Sequence, residues 1–260
     1  MRFGTRSYTQ LVKAFIDLRH YKALINICTK AVNPKEFLNK YLFGSGTYPC
    51  QIKVKTSIGI ISITAFNSHD LLTINEIFFR KDYQVKPDIQ IVADIGSNIG
   101  ISALYFLTQN PNVKCYLFEP NPSNVEKLKQ NLKGFESRYV LQTYAVSNES
   151  GTFDFGIEST GRYGSLEQHL GQTIKVDCKD INSVLQLIIN REKQIDLLKI
   201  DTEGSEIKTL RAINEEYLKD IKMICSESEQ VINNGEAELL RKFFRQKMYG
   251  TVCCLYNRFG

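Results

Sequence analysis

At 260 residues, 43% of them hydrophobic and 23% charged, the chain has the composition of a water-soluble globular protein, which excludes a disordered, collagen-like or coiled-coil chain. The net charge of +5 is mild, and its one basic cluster (Arg241, Lys242, Arg245, Lys247) falls on a predicted helix face, so no nucleic-acid partner is expected. No segment approaches the roughly 18 apolar residues of a membrane span, the first residues lack a secretory apolar core, and the seven Cys show no CxxC or regular spacing, which points to a reduced, cytoplasmic compartment.

The first 88 residues are expected to form an N-terminal α+β extension, apart from a main domain over 89–260. Leu11, Phe15, Leu18, Leu24 and Ile27 recur near a period of 3.6, which predicts a helix within residues 8–32. Gln51 to Phe66 is rich in Ile, Val and Thr around Gly59, the pattern of a β-hairpin, and Leu71 to Phe79 predicts a short helix. Such an extension serves either as a lid on the main domain or as plain stabilising structure.

From residue 89 onward apolar strands alternate with helices. IQIVADIG precedes the helix ISALYFLTQN, VKCYLFEP precedes NPSNVEKLKQNLK, and YVLQTYAVS is a third strand. GTFDFGI and TIKVD are shorter β-like pieces on either side of the loop ESTGRYGSLEQHLG. A helix from Ile181 to Asn190 leads into IDLLKID, and a helix from Ser205 to Leu218 leads into IKMICSESE. A last helix, GEAELLRKFFRQKM, leads into a last strand, TVCCLY. The alternation predicts an α/β, Rossmann-like fold: a mostly parallel sheet with helices on both faces. Its strand C-termini then share one edge, where ligands bind at the topological switch point.

The residues at that edge carry the chemistry. Asp94-Ile95-Gly96-Ser97-Asn98-Ile99-Gly100 follows the first strand directly, and its glycines permit positive φ and close approach of a ligand to the backbone. The spacing is DxGxxxG, which is neither the GxGxxG of dinucleotide enzymes nor a P-loop. Glu119 ends the second strand at the distance from the glycine turn that adenosine recognition requires, and its carboxylate can accept both ribose hydroxyls. Ala145, at the end of the third strand, is small enough to leave room for a base. The fourth strand ends in Asp201, Glu203, Gly204 and Glu206, where the reacting centre should lie, and Asp201 and Glu203 are the catalytic candidates. Glu206 has a plainer alternative role in the first turn of the next helix, and Glu227, after the fifth strand, has plain solvation.

DIGSNIG, FEPNP and LKIDTEGSE, in this order, resemble the FkbM-type methyltransferases, which use S-adenosylmethionine. DLLTINEIFFRKDYQ, residues 70–84, is similar to the segment that precedes the core in that family, and the resemblance spans about residues 70–230. It implies a class I methyltransferase core, with Asp94, Gly96, Asn98, Gly100 and Glu119 holding the cofactor. It also implies O-methylation of a sugar, glycan or polyketide-like small molecule. The acceptor itself does not carry over. The usual core ends in an antiparallel hairpin, of which only TVCCLY is evident.

Under this resemblance an acceptor hydroxyl attacks the sulfonium methyl in line, and positioning is the enzyme's main tool. Asp201 or Glu203 would act as general base, or would grip sugar hydroxyls or a divalent cation. The loop from Ser159 to Gly171 is a candidate lid, with His169 as a second candidate base. Two other classes stay open: a methyltransferase acting on nitrogen or on a macromolecule, and a non-catalytic cofactor-fold module that binds a partner.

Overall fold

In the computed structural model the residues described are 2–3, 6–7, 18–158, 164–166, 171–227, 238–249 and 251–259. The chain divides into two packing units, Met1–Asp82 and Tyr83–Gly260. The sequence placed this boundary after residue 88. Tyr83 belongs with the second unit because its ring packs edge-on against Phe106 and its carbonyl accepts a hydrogen bond from the Tyr105 hydroxyl.

In the first unit two short strands, β1 (Arg2–Phe3) and β2 (Arg6–Ser7), pair antiparallel. Helix α1 spans Leu18–Lys30 and buries Ala23 and Ile27; the part of the predicted helix before it, with Leu11 and Phe15, lies outside the described residues. Helix α2 (Pro34–Phe43) was not anticipated, although it carries two local signals: Pro34 at its start and Gly44 after its end, at φ 63°. Strands β3 (Cys50–Thr56) and β4 (Gly59–Ala65) form the expected hairpin. Helix α3 (Ser68–Ile74) starts at a capping box, in which Asn67 accepts from the Asp70 N–H and Asp70 accepts from the Asn67 N–H. A π-helical turn over Asn75–Arg80 continues it.

The second unit is built on seven strands: β5 (Ile91–Ile95), β6 (Lys114–Phe118), β7 (Tyr139–Gln142), β12 (Leu197–Ile200), β13 (Met223–Ser226), β14 (Phe244–Tyr249) and β15 (Val252–Asn257). Their order is β14-β15-β13-β12-β5-β6-β7, all parallel through β13, with β15 antiparallel to both neighbours. The order reverses between β5 and β12, which makes their C-termini the switch point. Successive side chains of β5 alternate between two helical layers. Ala93 and Ile95 join the main core with α6 (Ile181–Glu192), α7 (Glu206–Arg211), α8 (Glu215–Leu218) and α9 (Glu238–Phe243). Asp94 points the other way, toward Ser102 of α4 (Ile101–Leu107), every residue of which is buried. Helix α5 (Pro122–Asn131) completes that layer, capped by Asn121, which accepts from the Ser123 N–H.

Three expectations need correction. The segment GEAELLRKFFRQKM is not one helix: α9 ends at Phe243, and Phe244–Tyr249 is the strand β14, paired with β15. The terminal antiparallel hairpin is therefore present. YVLQTYAVS is not one strand either; it breaks after Gln142, and Ala145–Ser147 leaves as β8 for a second sheet. That sheet has the order β10-β9-β11-β8, with β9 Gly151–Ile157, β10 Gly164–Ser165 and β11 Gln172–Asp180. Finally, the helix over 205–218 is broken in two, because Asn182 on α6 donates to the Ala212 carbonyl and accepts from the Asn214 N–H. Among the described residues no helix is long and apolar enough to cross a membrane.

Arg138 fixes the turn between α4 and β6. Its guanidinium donates to the carbonyls of Val113, Leu107 and Asn110 at 3.1, 2.8 and 2.7 Å. Replacing it with Met leaves these acceptors to solvent alone, so Arg138→Met should lower unfolding free energy by about 2 kcal/mol in chemical denaturation, with an unchanged m-value.

Candidate active site

The site forms where β5, β6 and β12 end. Glycine is required at position 96: φ is 77°, and an added Cβ would lie 1.8 Å from the Asp201 carbonyl oxygen. The turn is also tied to β6. The N–H groups of Gly96 and Ser97 donate to the Phe118 carbonyl at 3.0 and 3.1 Å. The Ser97 hydroxyl donates to the Asp94 carbonyl and accepts from the Phe118 N–H. Asn98 continues the turn in the left-handed region, at φ 48°.

Glu119 is buried, with 4% exposure, directly beyond β6. Oε2 accepts from the Asn98 N–H at 2.8 Å, and Oε1 accepts from the Asn121 N–H at 2.9 Å. Burial raises its carboxyl to about 7, against the pull of these backbone donors, the Asn124 amide and the Lys199 charge. Oε1 also accepts from the Asn124 amide at 3.5 Å, Oε2 keeps a further lone pair, and the side chain opens on a cleft of about 580 Å³.

The cleft gathers most of the residues singled out in the sequence. Gly96, Asn98, Glu119, Ala145, Asp201 and Glu203 all line it. Asp94 and Gly100 do not. Asp94 is fully buried beneath the turn, with Oδ2 accepting from Ser102 and Oδ1 paired with Lys199 at 2.9 Å. Gly100 starts α4 at φ 82°, and a Cβ there would lie 3.1 Å from Leu128. These two shape the turn from behind.

The loop after β12 supplies the acid wall. The Asp201 side chain is 27% exposed and pairs with Lys199 through Oδ2 at 3.2 Å. Glu203 sits at φ 43°, a strained position for a residue with a Cβ, and its carbonyl accepts from the hydroxyl of fully buried Ser165 at 2.7 Å. Glu206 does not join that wall. Its carboxylate accepts from the N–H groups of Thr202 and Gly204, both at 3.0 Å, and so closes the loop. Glu227 is exposed beyond β13.

Sequence reasoning missed two groups. Lys199 was passed over, yet a lysine inside the apolar strand LLKI is itself a signal, because an unpaired lysine is almost never fully buried. Phe155 of the second sheet lines the apolar side of the cleft, beside Gly164 and Leu166 of the loop expected as a lid. No local pattern announced Phe155, since a break in a strand brings it there. His169 and most of the predicted lid, residues 159–163 and 167–170, lie outside the described residues. Among the described residues no three His, Cys, Asp or Glu side chains are grouped to hold a metal ion.

The family model of the methyltransferase FkbM domain matches residues 94–249, from the first turn of this cleft to the terminal hairpin. The chain belongs to that family. It is 26% identical over 166 residues to Methyltransferase 1 of Beauveria bassiana, covering 55% of this chain and 66% of that one. It is 24% identical over 170 residues to the 2-O-methyltransferase NoeI of Sinorhizobium fredii, covering 59% and 69%. It is also 26% identical over 126 residues to the hexuronic acid methyltransferase AglP of Haloferax volcanii, covering 47% of this chain and half of that one. Every residue that lines the switch-point cleft of this FkbM-family chain lies within the matched span.

The contact between Gly96 and Asp201 generates a direct test. Gly96→Ala should cost more than about 3 kcal/mol, because the main chains of two central strands must part to admit one methyl group. Thermal unfolding of the variant beside Gly134→Ala, where a Cβ meets nothing within 4 Å at a similarly positive φ, separates that clash from backbone strain alone.

Proposed function

We propose that this protein is an S-adenosylmethionine-dependent methyltransferase acting on a hydroxyl of a sugar, glycan or polyketide-like small molecule. The observation that carries the reading is Glu119. It is a buried carboxylate at the end of β6, facing the cleft beside the Gly96 turn and held by backbone donors, with a lone pair of Oε2 left to accept more. A carboxylate acceptor so placed suits the two adjacent hydroxyls of a ribose. The apolar side of the cleft, with Ala145, Val146 and Phe155, suits a flat heterocyclic base. The Gly96 and Asn98 backbone suits the remaining polar end of the cofactor.

When bound, S-adenosylmethionine supplies an activated methyl group on a cationic sulfur. The chain's own residues then have three tasks. Glu119 orients by accepting hydrogen bonds. Phe155 and Leu166 exclude water from one side. A carboxylate oxygen of Asp201 or Glu203 receives the hydrogen of the acceptor hydroxyl, first as a hydrogen bond and then as a proton. Glu206 is not a candidate for that task, because its carboxylate closes the loop and does not line the cleft. An acid-lined cleft favours an acceptor rich in hydroxyls, and the names of NoeI and AglP, a 2-O-methyltransferase and a hexuronic acid methyltransferase, support the same class.

Calorimetric titration with S-adenosylmethionine tests the cofactor. Glu119→Ala removes two charge-assisted bonds and should weaken binding at least about a hundredfold. The pH dependence has a fixed sign. The folded-state carboxyl lies at about 7, the ribose hydroxyls donate to its ionised form, and affinity is therefore full above that value and lost as pH falls through it. Between pH 8 and pH 6 the wild-type affinity should drop roughly tenfold, and Glu119→Gln should show no such drop. Absence of binding by folded wild-type protein would reject the proposed function. Production of S-adenosylhomocysteine across a panel of sugars and glycans then identifies the acceptor class.

A further inference from the structure

Lys199 is a buried titratable group beside the cleft to which the proposed chemistry assigns no task. It sits in the middle of the sheet: its register partners are Asp94 on β5 and Cys225 on β13. Its exposure is 2%, so its charge has been taken out of water. The ammonium meets three groups: Asp94 Oδ1 at 2.9 Å, the Gly96 carbonyl oxygen at 3.0 Å and Asp201 Oδ2 at 3.2 Å. An apolar side chain would fill the same place without that desolvation cost. What distinguishes these three partners is their location. Asp94 underlies the glycine turn, Gly96 is the turn, and Asp201 belongs to the acid wall across the cleft.

We propose that Lys199 is a positioning residue that locks the glycine turn and the Asp201 carboxylate into one geometry, so that the cofactor side and the acceptor side of the cleft are set by a single ammonium. The inference rests on the methyltransferase reading above. Burial pulls the Lys199 ammonium down, but the adjacent Asp201 and Asp94 carboxylates outweigh it and hold the group charged. The ammonium donates a hydrogen bond to the Gly96 carbonyl and lies within ion-pair range of both carboxylates. Asp201 is thereby anchored through one oxygen while its side chain still opens on the cleft. Lys199 touches neither ligand; it acts through Asp201 and the turn.

The test is a mutant cycle in the Asp94→Asn background. That substitution removes the partner that Lys199→Met would otherwise leave buried and charged, so the variants can be compared as folded proteins. Lys199→Met, Asp201→Asn and the two together are made in that parent, and each is measured by thermal unfolding and by calorimetric titration with S-adenosylmethionine. If Lys199 works through Asp201, each change weakens cofactor binding by about fivefold or more against the parent, and the combination is no worse than about twofold beyond the weaker single variant. Melting temperatures of the three stay close together, so the loss in affinity is not a loss of fold. A purely structural lysine would instead leave the two substitutions multiplicative, or would lower affinity only in step with stability. Either result, or an Asp201→Asn change without effect, overturns the proposal while wild-type binding keeps the methyltransferase reading intact. If the wild-type chain itself fails to bind the cofactor, both fall together, and the wild-type titration distinguishes that case.

Discussion

Two main chains meet at the switch point of this sheet with no space for a side chain between them. The Gly96 Cα faces the Asp201 carbonyl so closely that a single methyl group would overlap it. This approach lets the turn after β5 and the loop after β12 close over the same strand ends, and the remaining features of the site follow from it. Ser97, one residue on, can tuck its hydroxyl between Asp94 and Phe118. Asn98 can then aim its N–H at Glu119. Lys199, below, spans the gap that the two loops leave. A cleft that must hold two reactants in register is here assembled from backbone contacts inside a rigid sheet, with few adjustable parts.

The second sheet solves a different problem. Parallel strands present a cleft only along their C-terminal edge, and one side of that edge would stand open to water. The break after Gln142 diverts the chain, and β8 pairs parallel with β11. The sheet built from them carries Phe155, Gly164 and Leu166 to the open side. Its attachment is specific: the Ser165 hydroxyl bonds the Glu203 carbonyl, which ties the apolar wall to the acid wall. Gly164 has no room for a side chain, since a Cβ there would lie 2.4 Å from the Phe155 ring.

How much of this was legible beforehand follows from the range of the forces involved. The glycine turn, Glu119 and the acids after β12 lie in short segments whose local pattern marks them as candidates, and the structure brings Gly96, Glu119, Asp201 and Glu203 to one cleft. The alternation of strands and helices located the edge that unites them. The terminal strand β14 was misjudged because Glu, Leu, Lys, Arg, Gln and Met all favour helix, and pairing with β15 overrode that preference from Phe244 onward. The break in YVLQTYAVS was hidden for a similar reason. An apolar strand looks the same whichever sheet it joins, and the partner of β8 lies far along the chain in β11. The interruption between α7 and α8 depends on Asn182, distant in sequence, which bonds the chain on both sides of it. Lys199 was visible as an anomaly, but its partners were not, because only the register of β5 against β12 puts it beside Asp94.

Five acidic side chains gather near one sheet edge, and their surroundings divide them into distinct roles. Asp94 is fully buried with a cation and a hydroxyl, so it serves the framework. Glu206 spends both oxygens on backbone N–H groups of its own loop, so it too is structural. Glu119 is equally buried but faces the cleft, and the cost of desolvating its charge leaves it near neutrality, poised to gain from any ligand that donates hydrogen bonds. Asp201 has one oxygen anchored and its side chain partly in water. Glu203 is presented to the cleft by a strained backbone held from behind by Ser165. Residue type alone does not distinguish a structural carboxylate from one that works on a ligand. Position does: Glu119, Asp201 and Glu203 line the cleft, whereas Asp94 and Glu206 do not.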